Sequence, residues 1–261
     1  MENKSVRLDI ILKELRSFVI AFSGGVDSSF LAYRAATLDK LNFTAVTIRT
    51  PYMPDREIEE AHEFASMHKI NHKIIDAGFP EIIRHNPRER CYLCKKALFG
   101  KIISFATGNG YQYIIDGTNA DDTGELRPGL KALRELRVRS PLAEAGLTKK
   151  EIREQAFKAG LDLWNKPAMA CLLTRIPYET EISEEMLKMI GKAEEFLFEK
   201  GYPGTRVRLH GDTARIECLP GFLGKIINDP EKERIVARLK DLGFRYVSLD
   251  LEGYRTGSMD T

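Results

Sequence analysis

The chain has 261 residues, of which 43% are hydrophobic and 30% are charged, with 40 basic and 38 acidic side chains. This composition is typical of a soluble globular protein with one large and one small domain, and a net charge of +2 does not argue for nucleic-acid or membrane binding. No apolar run approaches the ~20 residues of a membrane span, and residues 1–16 lack a secretory pattern, so we expect a cytoplasmic protein with reduced cysteines.

The first two thirds of the chain alternate predicted helices and strands. Apolar residues spaced by three and four predict a helix over 7–15, and the apolar run at 18–22 predicts a buried strand. The elements that follow are helix 27–38, strand 43–48, helix 55–68, strand 72–76, helix 95–108, strand 113–116 and a helix from the capping box at Thr148 to about Gly160. This alternation predicts an α/β domain over residues 1–177, with a Rossmann-like parallel sheet.

Ligands of such sheets bind beyond the carboxyl ends of the strands. The candidate site loops therefore follow Phe22, Ile48, Asp76 and Asp116.

The pattern changes after Pro177. A helix is predicted over 183–200, two strands over 205–210 and 213–219 with a hairpin at Gly211-Asp212, a helix over 231–242 and a strand over 245–249. These elements predict a small α+β domain over residues 178–261.

The loop after the first strand has the composition of an anion-binding turn. It reads Ser23-Gly24-Gly25-Val26-Asp27-Ser28-Ser29 and leads into a predicted helix. Two glycines let the backbone turn sharply, and the helix offers N–H groups and the positive end of its dipole. Neither G-x-x-x-x-G-K-[ST] nor G-x-G-x-x-G is present, so the string predicts a different kind of pyrophosphate cradle.

This string resembles the PP-loop of the N-type ATP pyrophosphatases, which include GMP, NAD and asparagine synthetases and tRNA thiolases. The resemblance implies a domain of the adenine nucleotide α-hydrolase type that binds ATP on Ser23–Ser29 and cleaves it between the α and β phosphates. It implies Asp27 as the partner of Mg²⁺, which prefers carboxylates, phosphate oxygens and water. The other nucleotide contacts that it implies come from two strand ends: Thr47, Ile48, Arg49, Gly117, Thr118 and Asn119.

Three further strings resemble the LarE family of ATP-dependent sulfur transferases, which build the nickel-pincer nucleotide of lactate racemase. They are DGTNADD at 116–122 with RPG at 127–129, WNKPAMACLLTRIPY at 164–178, and RVRLH at 206–210 with ARIE at 214–217. The resemblance implies that ATP adenylates a carboxylate of pyridinium-3,5-biscarboxylic acid mononucleotide and releases pyrophosphate. Sulfur at the Cys171 site then displaces AMP and leaves a thiocarboxylate.

Substrate contacts are expected from two arginines on one predicted strand. Arg206 and Arg208 alternate, so both point to one face, and paired guanidiniums suit a phosphate or a carboxylate. An exposed strand face that carries surface charge is the alternative. Arg127, in a local basic cluster, and Glu195, on the preceding helix, complete the expected substrate set.

The four cysteines leave the sulfur source open. The resemblance to the three-cysteine branch of the family implies a [4Fe–4S] cluster on Cys91, Cys94 and Cys171, and thiolates are the ligands of cluster iron. The alternatives are sacrifice of Cys171 to dehydroalanine, structural zinc that also uses Cys218, and an unmetallated or redox pair at Cys91 and Cys94. The external sulfur source is not indicated.

Two other function classes remain open at this point. A tRNA thiolase would use the same ATP chemistry, but we expect for it an RNA-binding appendage or a basic surface, which a net charge of +2 does not favour. A nucleotide sensor without turnover would not need the Cys171 motif. The expected partner is a small nucleotide substrate, and the resemblance implies a homo-oligomer.

Overall fold

The computed structural model of the protein describes residues 4–124, 128–167, 171–255 and 257–259, without the side chains of residues 123 and 124. The chain divides into two compact units, one formed by Met1–Ile83 with Glu89–Met169 and the other by Arg84–Arg88 with Ala170–Thr261. This division lies a few residues before the boundary expected at 177. The second unit also includes a five-residue segment from the first half of the chain.

The first unit contains most of the elements that the sequence predicts. Its strands are β1 Ser17–Ala21, β2 Asn42–Arg49, β3 His72–Asp76 and β4 Tyr113–Ile115. Its helices are α1 Lys4–Leu15, α2 Val26–Ala36, α3 Asp55–Met67, α4 Arg90–Gly108, α5 Pro128–Glu135, α6 Pro141–Glu144 and α7 Lys149–Lys158, with 3-10 turns at Glu81–Ile83, Asp121–Gly124 and Asp162–Asn165.

The sheet of this unit is parallel, in the order β3-β2-β1-β4. Its central strand β1 is buried on both faces. Phe18 and Ile20 pack into a core with Leu8, Leu12 and Phe30, whereas the intervening Val19 packs on the other face with residues of β2 and α4. Successive side chains of a strand point to opposite faces of the sheet, and both faces are covered by apolar residues here, which explains the continuous apolar run. The predicted α/β fold is confirmed.

The second unit is a small α+β structure. It contains a 3-10 turn Leu172–Arg175, helices α8 Glu184–Glu199, α9 Pro220–Ile227 and α10 Lys232–Asp241, and strands β5 Arg206–His210, β6 Thr213–Glu217 and β7 Tyr246–Leu249. The predicted hairpin joins β5 and β6, and β7 adds to β6 in parallel. The sequence analysis predicts no helix at α9, nor at α5 and α6 of the first unit. Each of these helices begins with a proline, in the first turn, where a missing N–H is tolerated.

Two details of the helices bear on function. Helix α4 begins at Arg90 and not near Lys95, so Cys91 and Cys94 lie on its first turns and three positions apart. The capping box of α7 is present, with Thr148 and Glu151 bonded reciprocally, and it fixes the position of the next residue, Lys149. Within the described ranges, none of the helices combines the length and the apolar character needed to cross a membrane.

Candidate functional site

The phosphate loop lies at the carboxyl end of β1, where Gly24 and Gly25 lead into α2. Gly24 has a φ of 69°, and a Cβ on it would lie 2.8 Å from the Cβ of Ala61 in α3. Both the backbone conformation and the close contact therefore require glycine. Gly25 is the N-cap of α2, so the first N–H groups of this helix face the loop and lack partners within the helix.

The Ser28 hydroxyl holds the loop in this shape. Its Oγ lies 3.1 Å from Ser23 Oγ, accepts from Ser23 N at 3.3 Å and donates to the carbonyl of Gly25 at 3.2 Å. Ser29, one residue further along α2, is fully buried. The predicted PP-loop residues are therefore brought together as a turn with hydroxyl and amide donors on one helix N-terminus.

The end of β4 packs directly on this helix start. A Cβ on Gly117 would lie 2.8 Å from the Ser28 backbone nitrogen, so the two backbones touch. Asp116 fixes the strand end, since its carboxylate accepts from Ser140 Oγ at 2.7 Å and from Thr118 Oγ1 at 2.6 Å. Asn119 is buried, and its Oδ1 accepts from the Asp121 backbone at 2.9 Å. Gly117 thus lies against the loop helix, with Thr118 and Asn119 next in the chain, and their contact with a nucleotide stays a prediction.

Asp27 and Lys149 form an ion pair at the head of α2. Burial raises the pKa of Asp27, and the charge of Asp122 adds to this effect while the Lys149 ammonium opposes it. Asp27 Oδ1 is buried and has no hydrogen-bond partner in the described part of the chain. A buried carboxylate oxygen that lacks a donor suits Mg²⁺, which would supply the positive charge that this environment favours.

A second lysine closes the other side of the loop. The Lys166 ammonium donates to the Gly24 carbonyl at 3.0 Å and pairs with Glu60 at 2.6 Å. Sequence reasoning missed both lysines. The signals were weak: Lys149 directly follows the Thr148 cap, and Lys166 lies inside the string that contains Cys171.

The predicted nucleotide contacts at the end of β2 have three different environments. Thr47 is fully buried, and its hydroxyl donates to the carbonyl of Phe22 at 2.7 Å. Ile48 is buried in the core, whereas Arg49 is exposed and pairs with Asp76 at 3.3 Å. The Thr47 side chain therefore serves the strand that carries the phosphate loop.

The second unit contains a cluster of buried arginines paired with carboxylates. Arg175 is 2% exposed and donates to both oxygens of Glu194 at 2.8 and 2.9 Å. Arg208 pairs with the fully buried Glu217 at 2.8 Å. Two ion pairs buried this deeply fix the positions of their guanidiniums.

Both guanidiniums also hold the turn that begins at Cys171. Arg175 Nη1 donates to the Thr174 hydroxyl at 2.6 Å and to the Cys171 carbonyl at 3.3 Å. Arg208 Nη1 donates to the Thr174 carbonyl at 2.8 Å. The backbone of Cys171 is therefore hydrogen-bonded to a buried guanidinium. Arg208 holds this turn in addition to its predicted role in substrate binding.

Arg206 lies on the same strand as Arg208, and both are buried, so the alternative of surface charges on an exposed strand is wrong. The Arg206 guanidinium packs over the Tyr254 ring, 5.5 Å from its centroid. Burial and the positive charge of Arg175 lower the pKa of Arg206, which marks a place where an anion would be stabilised.

The other two predicted substrate residues are placed differently. Glu195 lies on the exposed side of α8, and the carboxylate that contacts Arg175 is that of its neighbour, Glu194. Glu194 Oε1 also accepts from the Val207 backbone at 2.9 Å. Arg127 lies outside the described residues.

The four cysteines form no disulfide. Cys91 and Cys94 belong to the first unit, where Cys94 Sγ lies 3.1 Å from the Tyr52 hydroxyl, and Cys171 belongs to the second unit. Among the described residues, no three His, Cys, Asp or Glu side chains are grouped to hold a metal ion. Cys218 is fully buried, as expected for a core residue, and burial raises the pKa of its thiol.

Comparison with known proteins places these features in a family. The sequence profile of NAD synthase matches residues 3–119. The pyridinium-3,5-bisthiocarboxylic acid mononucleotide synthase of Lactiplantibacillus plantarum is 35% identical over 265 residues, which cover 100% of this chain and 95% of that protein. An uncharacterized protein of Synechocystis sp. is 38% identical over 262 residues, covering 100% and 98%. A glutamine-hydrolyzing GMP synthase chain of Thermoplasma volcanium is 30% identical over 108 residues, covering 40% and 35%.

The buried Arg175–Glu194 pair generates a stability prediction with a neighbouring control. Glu194→Gln leaves a buried guanidinium without its counter-charge, so we expect the free energy of unfolding to fall by about 3 kcal/mol. Glu195→Gln, on the exposed side of the same helix, is expected to change it by less than about 0.5 kcal/mol. Urea denaturation measures both variants, and equal losses would contradict the placement of Glu194.

A second prediction concerns pH. Burial, with a contribution from His62, lowers the pKa of His72 from 6.5 to about 4. The unfolded chain therefore takes up this proton at a higher pH than the folded chain does. Stability is consequently lost as the pH falls from about 6.5 to about 4. We expect the free energy of unfolding to fall less steeply across this range in His72→Gln than in the wild type. Identical slopes would contradict a buried, neutral imidazole.

Proposed function

We propose that this protein converts pyridinium-3,5-biscarboxylic acid mononucleotide into a thiocarboxylate. The chain belongs to the PP-loop ATP pyrophosphatases and is an ATP-dependent sulfurtransferase similar to LarE. The observation that carries the proposal is the Ser23–Ser29 turn, with Lys149 beside it and with the buried Asp27 Oδ1, which lacks a hydrogen-bond partner among the described residues. Similarity over the whole chain to the synthase of the bisthiocarboxylic acid mononucleotide supports the choice of substrate.

ATP activation uses the first unit. The helix N–H groups bind the phosphates that leave as pyrophosphate, the hydroxyls of Ser23 and Ser28 hold the loop in the shape that presents them, and Lys149 neutralises charge that develops on the phosphates. Mg²⁺ on Asp27 would add positive charge at the same place. A carboxylate is a poor electrophile, so the substrate oxygen attacks the α phosphate, and the resulting acyl adenylate has AMP as a good leaving group.

Substrate recognition uses the buried arginines of the second unit. The mononucleotide carries a phosphate and carboxylates, which guanidiniums bind in bidentate fashion. Arg206 is our primary candidate, because its guanidinium is buried and lies near the positive charge of Arg175, so an anion would be stabilised there. Arg127 and Glu195 stay predictions.

Both proposed routes of sulfur delivery, direct transfer and an iron–sulfur cluster, use Cys171. In direct transfer, its thiolate attacks the acyl carbon, the C–S bond forms, and the C–O bond to AMP breaks. Removal of the α proton then sends the Cβ–S electron pair to sulfur, which leaves dehydroalanine in the chain and a thiocarboxylate on the substrate. Each chain turns over once by this route.

The other route is the predicted [4Fe–4S] cluster on Cys91, Cys94 and Cys171. Thiolates fit cluster iron, and two of them lie three residues apart on α4, although the described residues show no group of three ligands. A cluster would supply exchangeable sulfide and so a renewable donor. This assignment stays a proposal, and the external sulfur source is open.

The ATP chemistry is tested by its products. With the pyridinium biscarboxylate and Mg-ATP, we expect AMP and pyrophosphate, and Lys149→Met should lower kcat/KM for ATP about a hundredfold, because a preorganised positive charge is lost. Lys150→Met is the matched control, since Lys150 is the next residue in the chain and its side chain is exposed. Formation of ADP, or product release only with tRNA, would overturn the proposed function, and the tRNA result would favour a tRNA thiolase.

The sulfur source is tested by anaerobic purification with iron and sulfide analysis. We expect about four irons per chain in the wild type, lost in Cys91→Ala and in Cys171→Ala but retained in the buried-cysteine control Cys218→Ala. An iron-free wild type that loses the mass of H₂S at Cys171 during turnover would overturn the cluster and leave Cys171 as the sacrificial donor.

A further inference from the structure

Two consecutive hydrogen bonds connect His72, at the start of β3, to Phe22, which precedes the phosphate loop. Thr47 Oγ1 donates to the carbonyl oxygen of Phe22 at 2.7 Å and lies 2.8 Å from His72 Nε2. Phe22 is the last residue before the loop, and Thr47 is fully buried. None of these three side chains belongs to the loop itself.

Counting protons fixes the state of His72. A hydroxyl has one hydrogen, and Thr47 gives it to a carbonyl, which can only accept. The bond between Thr47 and His72 therefore has to be donated by Nε2–H, which leaves a lone pair on Nδ1. Nδ1 is buried and finds no hydrogen-bond partner among the residues that the structure describes, as suits an atom with no hydrogen to donate. The imidazole is thus neutral and held in one tautomer.

The bonded carbonyl belongs to the peptide plane that opens the loop. The Phe22 C=O and the Ser23 N–H are the two ends of one planar group. Thr47 holds the oxygen end, and Ser28 Oγ accepts from the nitrogen end at 3.3 Å. This plane cannot rotate without breaking one of the two bonds, so its orientation sets the direction in which the backbone enters Gly24.

The rest of Phe22 is fixed as well. Its N–H donates to the Val46 carbonyl at 2.9 Å, and its ring packs edge-on against the His72 ring, with the centroids 5.5 Å apart. The imidazole therefore supports Phe22 twice, through Thr47 and through the ring contact. Gly24 has no space to shift if the entry peptide rotates, because it packs against Ala61.

We propose that His72 is a positioning residue for ATP, which orients the entry peptide of the phosphate loop through the Thr47 hydroxyl. The inference rests on the proposed binding of ATP phosphates at Ser23–Ser29. In this proposal the Thr47 hydroxyl and His72 Nε2 act on the entry peptide and not on the nucleotide. They set the geometry of the groups that bind the phosphates.

Paired variants test the relay. Thr47→Val and His72→Phe keep the shape and remove the hydrogen bonds, so we expect KM for ATP to rise about five- to tenfold in each. Thr47→Ser and His72→Gln keep a hydroxyl and an N–H donor and should remain near wild type. We expect kcat at saturating ATP and KM for the pyridinium substrate to change less than about twofold. The double variant Thr47→Val/His72→Phe should lose no more than either single variant, since both break one relay.

His68→Gln is the matched control, because His68 also packs against aromatic rings near the end of α3 but makes no contact in this relay. Nitrogen NMR of ¹⁵N-histidine-labelled protein, with the His72 signals assigned from His72→Gln, reads the tautomer without any assay. We expect a protonated Nε2 and a bare Nδ1.

The outcomes separate this inference from the function on which it rests. If Ser28→Ala weakens ATP binding while Thr47→Val behaves like Thr47→Ser, or if Nδ1 carries the hydrogen, the relay is overturned and the phosphate loop stands. If the wild type does not bind ATP, measured calorimetrically with α,β-methylene-ATP, or if Ser28→Ala has no effect, the proposed function fails first.

Discussion

The close packing of backbone around two glycines is the constraint on which the first unit depends. Gly24 lies against Ala61 of α3, and Gly117 lies against the nitrogen of Ser28, each with room for a hydrogen and none for a methyl group. The second contact brings the end of β4 to the N-terminus of the helix that follows β1. The groups at the carboxyl ends of these two strands are therefore closely packed before any ligand arrives, which favours electrostatic preorganisation.

Buried charge is arranged differently in the two units. At the phosphate loop of the first unit, Asp27 is paired with Lys149, and its Oδ1 lacks a hydrogen-bond partner among the described residues, so the local charge balance would change on the proposed binding of phosphates and a cation. In the second, Arg175 and Arg208 are satisfied by Glu194 and Glu217 and hold the Cys171 turn. The first arrangement suits a group that exchanges partners during a reaction, and the second suits a scaffold for a nucleophile.

The fold was largely readable from the sequence, because the strong signals were local. The run at Phe18–Ile20 predicted a strand buried on both faces, the box at Thr148 and Glu151 predicted a helix start, and Gly211-Asp212 predicted a hairpin, and all three are present. The weak points were element starts and breakers. Helix α4 begins five residues before its predicted start, and the three helices that begin with a proline, α5, α6 and α9, were not predicted.

The sequence by itself determined the phosphate loop, its strand-to-helix context and the LarE-like strings, since each is a contiguous string of residues. Only the tertiary structure decided which charges meet, because Lys149 and Asp27 are 122 positions apart and Glu194 and Arg175 are 19 apart. The tertiary structure also places Glu194, and not Glu195, against an arginine. It buries Arg206 and Arg208, and it places the Thr47 hydroxyl against the carbonyl oxygen that precedes the loop. A string shows which groups are available, and the packing of distant segments decides what each group faces.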